Sequence, residues 1–342
     1  MPLPLRLATF NLESLDDQPS RAPSLDERIA VLRPRLLRLA ADLLCLQEVN
    51  GQHPPGGGPR ALLALDRLLQ DTPYAAFERA VAGSARDGGI ADVHNLVVLS
   101  RFPITAARAL RHELVTPPSY RPATAQPTAG RSAGPAETEP QAVTWDRPLL
   151  QVEIALPGGR RLHLIDLHLR APLAAPIAGQ KEGPFMWKSV AGWAEGFYLA
   201  TLKRSGQALE ARLALEALFD REAEPLIAVV GDFNAEERET PLRTLRGEPS
   251  DTGNPGLAGR ALISLERSLP ESRRYSVLHQ GIPAMLDHVL VSRALFAHYR
   301  EVEILNEGLP DEILDEDKAS ARAASFHAPI VAEFVLPDYT NG

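Results

Sequence analysis

The chain has 342 residues, of which 44% are hydrophobic and 23% charged, a composition typical of folded proteins with a large core. The net charge of -8 argues against a broadly basic surface for nucleic acid, although a local basic groove or bound cations can offset a negative total. The single cysteine, Cys45, excludes an internal disulfide, and no apolar run approaches the roughly 20 residues that span a bilayer. The N-terminus also lacks a signal-peptide pattern. These features predict a cytoplasmic protein without a membrane span.

Short apolar runs predict the strands. In chain order they cover residues 5–11, 42–49, 74–81, 95–100, 149–156, 161–168, 226–230, 285–292 and 328–336. Leucines at a spacing of three or four residues predict helices at 26–39, 61–69 and 199–219, with Pro34 marking a kink or a late start in the first. Many strands follow one another directly. This order favours a mixed or antiparallel sheet over strict alternation of parallel strands and helices.

Three irregular segments interrupt the pattern. Residues 116–140 are poor in large apolar side chains, and we expect a long mobile loop there, within a single domain formed by the whole chain. Residues 171–193 and 250–275 are expected to be insertions that form a wall beside the functional site. Trp187 and Trp193 either pack the first insertion or face a substrate.

Polar side chains stand at the ends of several predicted strands. They are Asn11, Glu48, His168, Asp232, Asn234, Asp287 and His327. In an extended chain, Asp232 and Asn234 point to one side, although an ordinary Asp/Asn turn after a strand explains the pair equally well. Carboxylate and amide oxygens bind hard divalent cations, and histidine transfers protons. These are the residue types that hydrolysis of a phosphate ester needs.

Other polar residues have simpler interpretations. His163 and His168 are five residues apart on one strand, so they face opposite sides, and we expect His163 to be structural. His94 is interpreted as a loop residue, with a role in binding substrate as the alternative. Arg170, close to His168 in sequence, is a candidate to bind a substrate phosphate, together with nearby lysines.

Seven segments, taken in order, resemble the motifs of the endonuclease/exonuclease/phosphatase superfamily. They read ATFNLESL, LCLQEV, NLVVLSRFPI, IDLHL, GDFNAEERETPL, MLDHVLVS and SFHAPIVAEF. The resemblance extends from the first predicted strand to the last. It implies an α+β, DNase I-like fold: two packed mixed β-sheets flanked by helices, a four-layer αββα sandwich with the active site at one edge.

The resemblance also implies roles for the polar residues. Asn11 and Glu48 are similar to the ligands of the principal divalent ion, Mg²⁺ or Mn²⁺, and Glu13 is a possible alternate ligand. Asp232 would orient or deprotonate the attacking water. Asn234 would contact the phosphoryl oxygens.

The histidines complete the implied site. Asp287 would hydrogen-bond His327 and set its tautomer, and His327 would either act on water or bind the scissile phosphate. His168 resembles a histidine of the nuclease and sphingomyelinase branches. We therefore expect a divalent-metal-dependent phosphoesterase, with a phosphodiesterase or nuclease favoured. The alternatives are a phosphomonoesterase or a phospholipid-headgroup hydrolase. The expected partner is a phosphate-ester substrate, with nucleic acid as one candidate.

One position departs from the family. Phe326 stands where the usual Ser-Asp-His motif has its aspartate, which in the family belongs to the metal shell. The number and affinity of metal ions are therefore in question. A nearby acid would replace it (Asp315, Glu316 or Asp317), or the cation would be held more loosely, or activity would be reduced. A catalytically weakened binding protein is the remaining alternative.

Overall fold

The structure is a computed structural model and describes residues 2–18, 22–83, 89–126, 139–316, 318 and 322–337. The strands are β1 (Leu3–Leu15), β2 (Leu43–Val49), β3 (Glu78–Ala82), β4 (Asn95–Ser100), β5 (Ile104–Leu110), β6 (Ser119–Tyr120), β7 (Gln141–Ala142), β8 (Leu149–Leu156), β9 (Arg160–His168), β10 (Leu226–Asp232), β11 (Ile263–Ser264), β12 (Val277–His279), β13 (Ile282–Ala284), β14 (Asp287–Val291), β15 (Tyr299–Ile304) and β16 (Ile330–Leu336). The helices are α1 (Leu25–Leu39), α2 (Leu63–Leu69), α3 (Val190–Arg221), α4 (Thr240–Arg246), α5 (Pro249–Thr252) and α6 (Arg293–Phe296). Short 3₁₀ helices cover Pro73–Ala76, Pro255–Arg260, Leu265–Ser268 and Glu271–Arg273.

Most strands belong to two six-stranded sheets. The first has the order β15-β16-β1-β2-β4-β3 and the second the order β11-β14-β10-β9-β8-β5. One pair in each sheet is parallel, β1 with β2 and β9 with β10, and the neighbours of these pairs run antiparallel. Both sheets are therefore mixed, as predicted. The carboxyl ends of the parallel pairs and the amino ends of their antiparallel neighbours lie at one edge of each sheet.

The core has three layers of apolar side chains. Between the sheets, residues such as Leu7, Cys45 and Val230 are buried. Helices α1 and α2 cover the outer face of the first sheet, and α3 and α4 cover that of the second. β2 and β10 are apolar without alternation because both of their faces are covered. The predicted four-layer αββα arrangement is confirmed.

Some predicted boundaries were wrong. Helix α1 begins at Leu25, where Ser24 and Glu27 form a capping box, and it continues through Pro34, so the late start was wrong. Residues 73–76 form a 3₁₀ turn rather than the start of a strand. Helix α3 begins at Val190, well before the predicted start, so the insertion at 171–193 ends in its first turn. Strands β5 and β15 were not predicted.

The predicted loop at 116–140 is described only at its two ends, since residues 127–138 lie outside the described part of the chain. At these ends β6 pairs with β7. Glu195 of α3 accepts hydrogen bonds from Tyr120 Oη and from the backbone of Thr124, both at 2.8 Å. The mobility of the loop stays a prediction. Among the described helices, none combines the length and the apolar character needed to cross a membrane, and this finding leaves the cytoplasmic location untested.

Candidate active site

Predicted site residues from both sheets meet at the edge where the parallel strands have their carboxyl ends. Asn11 and Glu48 come from β1 and β2, whereas His168 and Asp232 end β9 and β10. Asn11 Nδ2 lies 3.3 Å from Glu48 Oε1 and 3.1 Å from Asp232 Oδ2. His168 Nε2 lies 3.7 Å from Glu48 Oε1 and 3.3 Å from Asp232 Oδ2. Residues far apart in sequence thus form one cluster across the two sheets.

A buried polar contact behind the cluster also joins the sheets. Gln47 Nε2, on β2, donates a hydrogen bond to Asp166 Oδ1 on β9 at 2.6 Å and lies 3.1 Å from Thr9 Oγ1 on β1. Burial raises the pKa of Asp166 well above 3.8. Burial therefore favours the neutral form of Asp166, against the hydrogen bond from Gln47.

Asn234 reaches Asp232 through a turn. Its φ of 47° shows that the chain is not extended here, so the alternation argument was wrong in its geometry. The Asn234 backbone N–H donates to Asp232 Oδ1 at 2.8 Å, and its Nδ2 lies 3.2 Å from Asp232 Oδ2 and 3.1 Å from the Leu169 carbonyl oxygen. The turn and the convergence of the two side chains are therefore both present. Gly231 precedes the turn at φ 129°, where a Cβ would lie 2.0 Å from the Leu167 oxygen.

His327 and Asp287 form a hydrogen-bonded pair. His327 Nδ1 lies 2.7 Å from Asp287 Oδ2, and His327 Nε2 lies 3.9 Å from Asp232 Oδ2. His327 precedes β16 of the first sheet and Asp287 begins β14 of the second, so this pair also crosses between sheets. The predicted contact is present, and it directs Nε2 towards Asp232.

The charges of the cluster shift its pKa values in different directions. Burial raises the pKa of Asp232 to about 7, against the attraction of His327, and the carboxylate of Asp287 adds to the rise. Burial alone would lower the pKa of His327, but Asp287 and Asp232 outweigh it and raise that pKa well above 6.5. Burial and neighbouring positive groups lower the pKa of His168 well below 6.5. The surroundings thus favour the charged form of His327 and the neutral form of His168, and they bring the pKa of Asp232 near neutrality.

The backbone around the cluster is strained. Positive φ angles occur at five non-glycine residues: Glu13 (53°), Ser14 (53°), Glu48 (58°), His94 (62°) and Asn234 (47°). Each such residue costs about 1–3 kcal/mol and persists only where its surroundings hold it. Arg28 of α1 holds the first two, because its guanidinium donates to the carbonyl oxygens of Leu12, Glu13 and Ser14 at 2.6, 3.0 and 3.3 Å. Strain of this kind is typical of functional sites.

Glu13 is the acid that the structure brings to the altered motif. Its Oε2 accepts a hydrogen bond from the Phe326 backbone N–H at 3.2 Å, and burial raises its pKa. Phe326 itself is buried, and with Glu13 and Glu316 it lines a cavity of about 200 Å³. Asp315 is engaged in a local turn, 3.0 Å from a backbone N–H. Asp317 lies outside the described residues.

Arg147 was missed by the sequence analysis. Its Nη1 donates to the Leu169 carbonyl oxygen at 3.3 Å, and its charge interacts with Glu48 and Asp232. Arg170 Nε, by contrast, lies 3.5 Å from Asp146. Arg170 therefore has a counterion, and its role in binding substrate stays a prediction.

His163 and the two tryptophans of the insertion at 171–193 were also given interpretations from the sequence. His163 Nε2 lies 2.9 Å from Glu222 Oε1, which agrees with its structural interpretation. Trp187 lies under the Lys181 ammonium group at 5.0 Å, and Trp193, 45% exposed, stacks on Phe197. Both packing and exposure are thus present, so the choice between a packing role and a substrate wall stays open.

The donor set fits a divalent cation. Glu48 offers carboxylate oxygens beside Asn11, whose amide would turn over to offer its oxygen, since its Nδ2 now faces Glu48 and Asp232 and its Oδ1 accepts from the Glu13 backbone N–H at 2.9 Å. Asp232, Asp287 and His327 form a second group with ligand atoms within 4.8 Å of one another. Asp287 Oδ1 is buried and has no hydrogen-bond partner among the described residues. This is expected of an oxygen that binds a metal ion.

The fold and the site together define a DNase I-like hydrolase architecture. A sequence profile of the Endonuclease/Exonuclease/phosphatase family matches residues 8–320. The chain therefore belongs to this family, whose members are phosphoesterases that use divalent metals. No curated protein matches the chain in sequence.

Solved structures share the fold at low sequence identity. An endonuclease/exonuclease/phosphatase family protein from Bacteroides thetaiotaomicron is 15% identical with a TM-score of 0.55, covering 100% of this chain and 98% of that one. D. rerio TDP2, complexed with a single-strand DNA product, is 15% identical with a TM-score of 0.53, covering 97% and 98%. An endonuclease/exonuclease/phosphatase from Beutenbergia cavernae DSM 12333 is 17% identical with a TM-score of 0.51, covering 97% and 72%. These similarities show the fold alone.

Proposed function

We propose that this protein is a divalent-metal-dependent phosphodiesterase that hydrolyses a P–O bond with water. The observation that carries the proposal is the convergence on Asp232. One buried carboxylate, with a pKa near neutrality, lies beside a metal-ligand pair and a charged histidine. A general base works best when its pKa is close to the working pH.

Asn11 and Glu48 would hold Mg²⁺ or Mn²⁺, whose charge, when bound, offsets the negative charge that develops on the phosphoryl group. Asp232 takes a proton from the attacking water. Asn234, 3.2 Å from Asp232, can donate its amide N–H to a phosphoryl oxygen once substrate is present.

The histidines have separate roles in this proposal. The neighbouring carboxylates raise the pKa of His327 and favour its charged form, so it donates a proton or a hydrogen bond to the phosphate rather than accepting a proton from water. Asp287 holds its Nδ1 and leaves Nε2 directed at the reaction site. His168 is neutral and lies between Glu48 and Asp232, where it contacts the leaving group or the phosphate.

A cavity of about 820 Å³ beside the site supports a diester substrate. It is lined by His94 and Arg147 from the site, and also by Arg60 and Arg111. Arginine is well suited to phosphate because its planar guanidinium donates two parallel hydrogen bonds. Asp92, which pairs with Arg60 at 2.8 Å, and Asp146 also line the cavity, so Arg111 and Arg147 are the residues that would face the part of the substrate beyond the scissile bond. Nucleic acid is the first candidate.

The test uses purified protein with Mg²⁺ or Mn²⁺. We expect faster hydrolysis of bis-p-nitrophenyl phosphate than of p-nitrophenyl phosphate, and loss of this activity in Asp232→Asn and His327→Gln. A panel of abasic DNA, single- and double-stranded DNA, RNA, sphingomyelin and inositol phosphates then ranks the substrates. Faster monoester hydrolysis would overturn the diester proposal, and no turnover of any substrate would overturn the enzyme proposal.

A further inference from the structure

Glu48, His94 and His168 form a cluster that the proposed mechanism does not use as a unit. One ligand atom from each lies within 4.8 Å of the other two. The His94 and His168 rings are nearly parallel, with centroids 5.9 Å apart and 29° between their planes. A metal ion about 2.0–2.2 Å from each ligand brings such atoms to within about 4 Å of one another. The three side chains would therefore need to shift by less than about an ångström.

Two ring nitrogens in this cluster have no protein partner. Within the described part of the chain, His94 Nδ1 and His168 Nδ1 are buried and make no hydrogen bond. His168 is 2% exposed, and its Nε2 faces Glu48 and Asp232 at 3.7 and 3.3 Å. A buried polar atom without a partner is unfavourable. An imidazole nitrogen in such a position is available to a cation.

The chemistry of the three ligands is specific. Two imidazole nitrogens and one carboxylate oxygen are the ligand set of catalytic zinc sites of the His₂Glu type, and they also suit other borderline divalent ions. Mg²⁺ instead favours oxygen ligands and bound water. Asn11 and Glu48 alone would not distinguish these ions. His94 and His168 therefore supply the selectivity.

We propose that Glu48, His94 and His168 bind a borderline divalent transition-metal ion of the Zn²⁺ class in preference to Mg²⁺. The use of this ion in catalysis rests on the proposed function, but its binding does not. The site shares Glu48 with the Asn11–Glu48 pair, so Glu48→Gln weakens binding at both places.

The probe is Co²⁺, whose visible absorption reports its ligands and which replaces Zn²⁺ in nitrogen-containing sites. The full-length protein, stripped with EDTA, is titrated with Co²⁺ in the presence of excess Mg²⁺. We expect bound Co²⁺ to absorb in the visible range, and we expect Zn²⁺ but not Mg²⁺ to displace it. His94→Asn is expected to lower the affinity for Co²⁺ by at least about tenfold. Asparagine tolerates the positive φ of 62° at this position.

The matched control is His53→Asn. His53 is exposed, with its Nδ1 3.0 Å from the Gly58 carbonyl oxygen, and its replacement is expected to leave Co²⁺ binding unchanged. The proposal is overturned if wild-type protein shows no Co²⁺ absorption, if Mg²⁺ displaces Co²⁺ equally well, or if His94→Asn binds as wild type does. Equal losses in both variants would also overturn it.

A second measurement covers the case in which His94→Asn fails to fold. Zn²⁺ added to ¹⁵N-labelled wild-type protein is expected to shift the ring-nitrogen signals of two histidines, and a shift of fewer than two would overturn the site. Hydrolysis of bis-p-nitrophenyl phosphate with Mg²⁺ alone tests the proposed function separately. An inactive protein that binds Co²⁺ through His94 would refute the proposed function and leave the metal site standing.

Discussion

The Asp232→Asn substitution is expected to remove most of the activity while making the metal-free protein more stable at alkaline pH. Asp232 is 1% exposed, and burial raises its pKa to about 7 against the attraction of His327. Asparagine has nearly the same shape and carries no charge, but its one oxygen can accept either at Oδ2 or at Oδ1, where the Asn234 backbone N–H donates at 2.8 Å. Loss of a general base lowers kcat by about 10²–10⁴-fold.

The size of the stability effect follows from the pKa. In the unfolded chain Asp232 ionises near 3.8, whereas in the folded chain it stays protonated up to about pH 7. Its contribution to the free energy of unfolding is complete below pH 3.8 and is lost as the pH rises through about 7. From pH 5 to pH 7 the loss is about 1.4 kcal/mol per pH unit, or roughly 3 kcal/mol. The pKa of about 7 already includes the attraction of His327, so we expect Asp232→Asn to gain roughly 3 kcal/mol over wild type between pH 5 and pH 8.

Urea unfolding in EDTA at pH 5 and pH 8 measures this gain. The control is Asp66→Asn, since Asp66 is an exposed partner of Arg79 at 2.8 Å, and such surface changes stay within about 0.5 kcal/mol. The reasoning is refuted if the stability of Asp232→Asn relative to wild type is the same at both pH values or falls from pH 5 to pH 8. Activity above about a tenth of the wild-type value would separately refute the base role.

Three other substitutions test individual contacts. Asp287→Asn is expected to lower the pKa of His327, because Asp287 is the strongest of the charges that reverse the effect of burial. It is also expected to lower kcat/KM by about 10²–10⁴-fold. Histidine NMR titration measures the pKa and steady-state kinetics measure kcat/KM, and an unchanged pKa contradicts this account. Arg147→Met is expected to raise KM by about tenfold or more, with partial recovery in Arg147→Lys; a wild-type KM in both excludes a phosphate contact. Glu48→Gln is expected to abolish the rise in Tm that Mg²⁺ gives wild type, and an unchanged rise would show that Glu48 is not a ligand.

The fold could be predicted where burial leaves a clear pattern. β2 and β10 are covered on both faces, so their runs are continuously apolar. β5 and β15 lie at sheet edges and carry exposed residues, as in YREVEI, so no such pattern exists there. The first turns of α3 contain Gly192 and Gly196, which are poor helix formers. A Cβ at Gly196 would lie 2.3 Å from the Ala175 oxygen, so packing rather than helix propensity determines this part of α3.

The site could be predicted only in part. Residues near the ends of parallel strands, such as Glu48 and Asp232, could be predicted because each follows a clear apolar run in the sequence. His94 and Arg147 come just before β4 and β8, which run antiparallel to β2 and β9, so the amino ends of β4 and β8 lie at the same edge. His327, before β16, follows the same rule and was predicted only because its motif resembles that of the family. Without the pairing of the strands, the sequence does not show which loop residues reach this edge.

The division of the site between two sheets has a consequence for folding. Asn11–Asp232, Glu48–His168, Gln47–Asp166 and Asp287–His327 each join a residue of the first sheet to one of the second. Neither sheet contains a complete site. An intermediate with both sheets formed but not yet docked would show native-like far-ultraviolet circular dichroism and no hydrolysis. Recovery of activity during refolding would therefore report the docking of the two sheets, at a later time than the recovery of secondary structure.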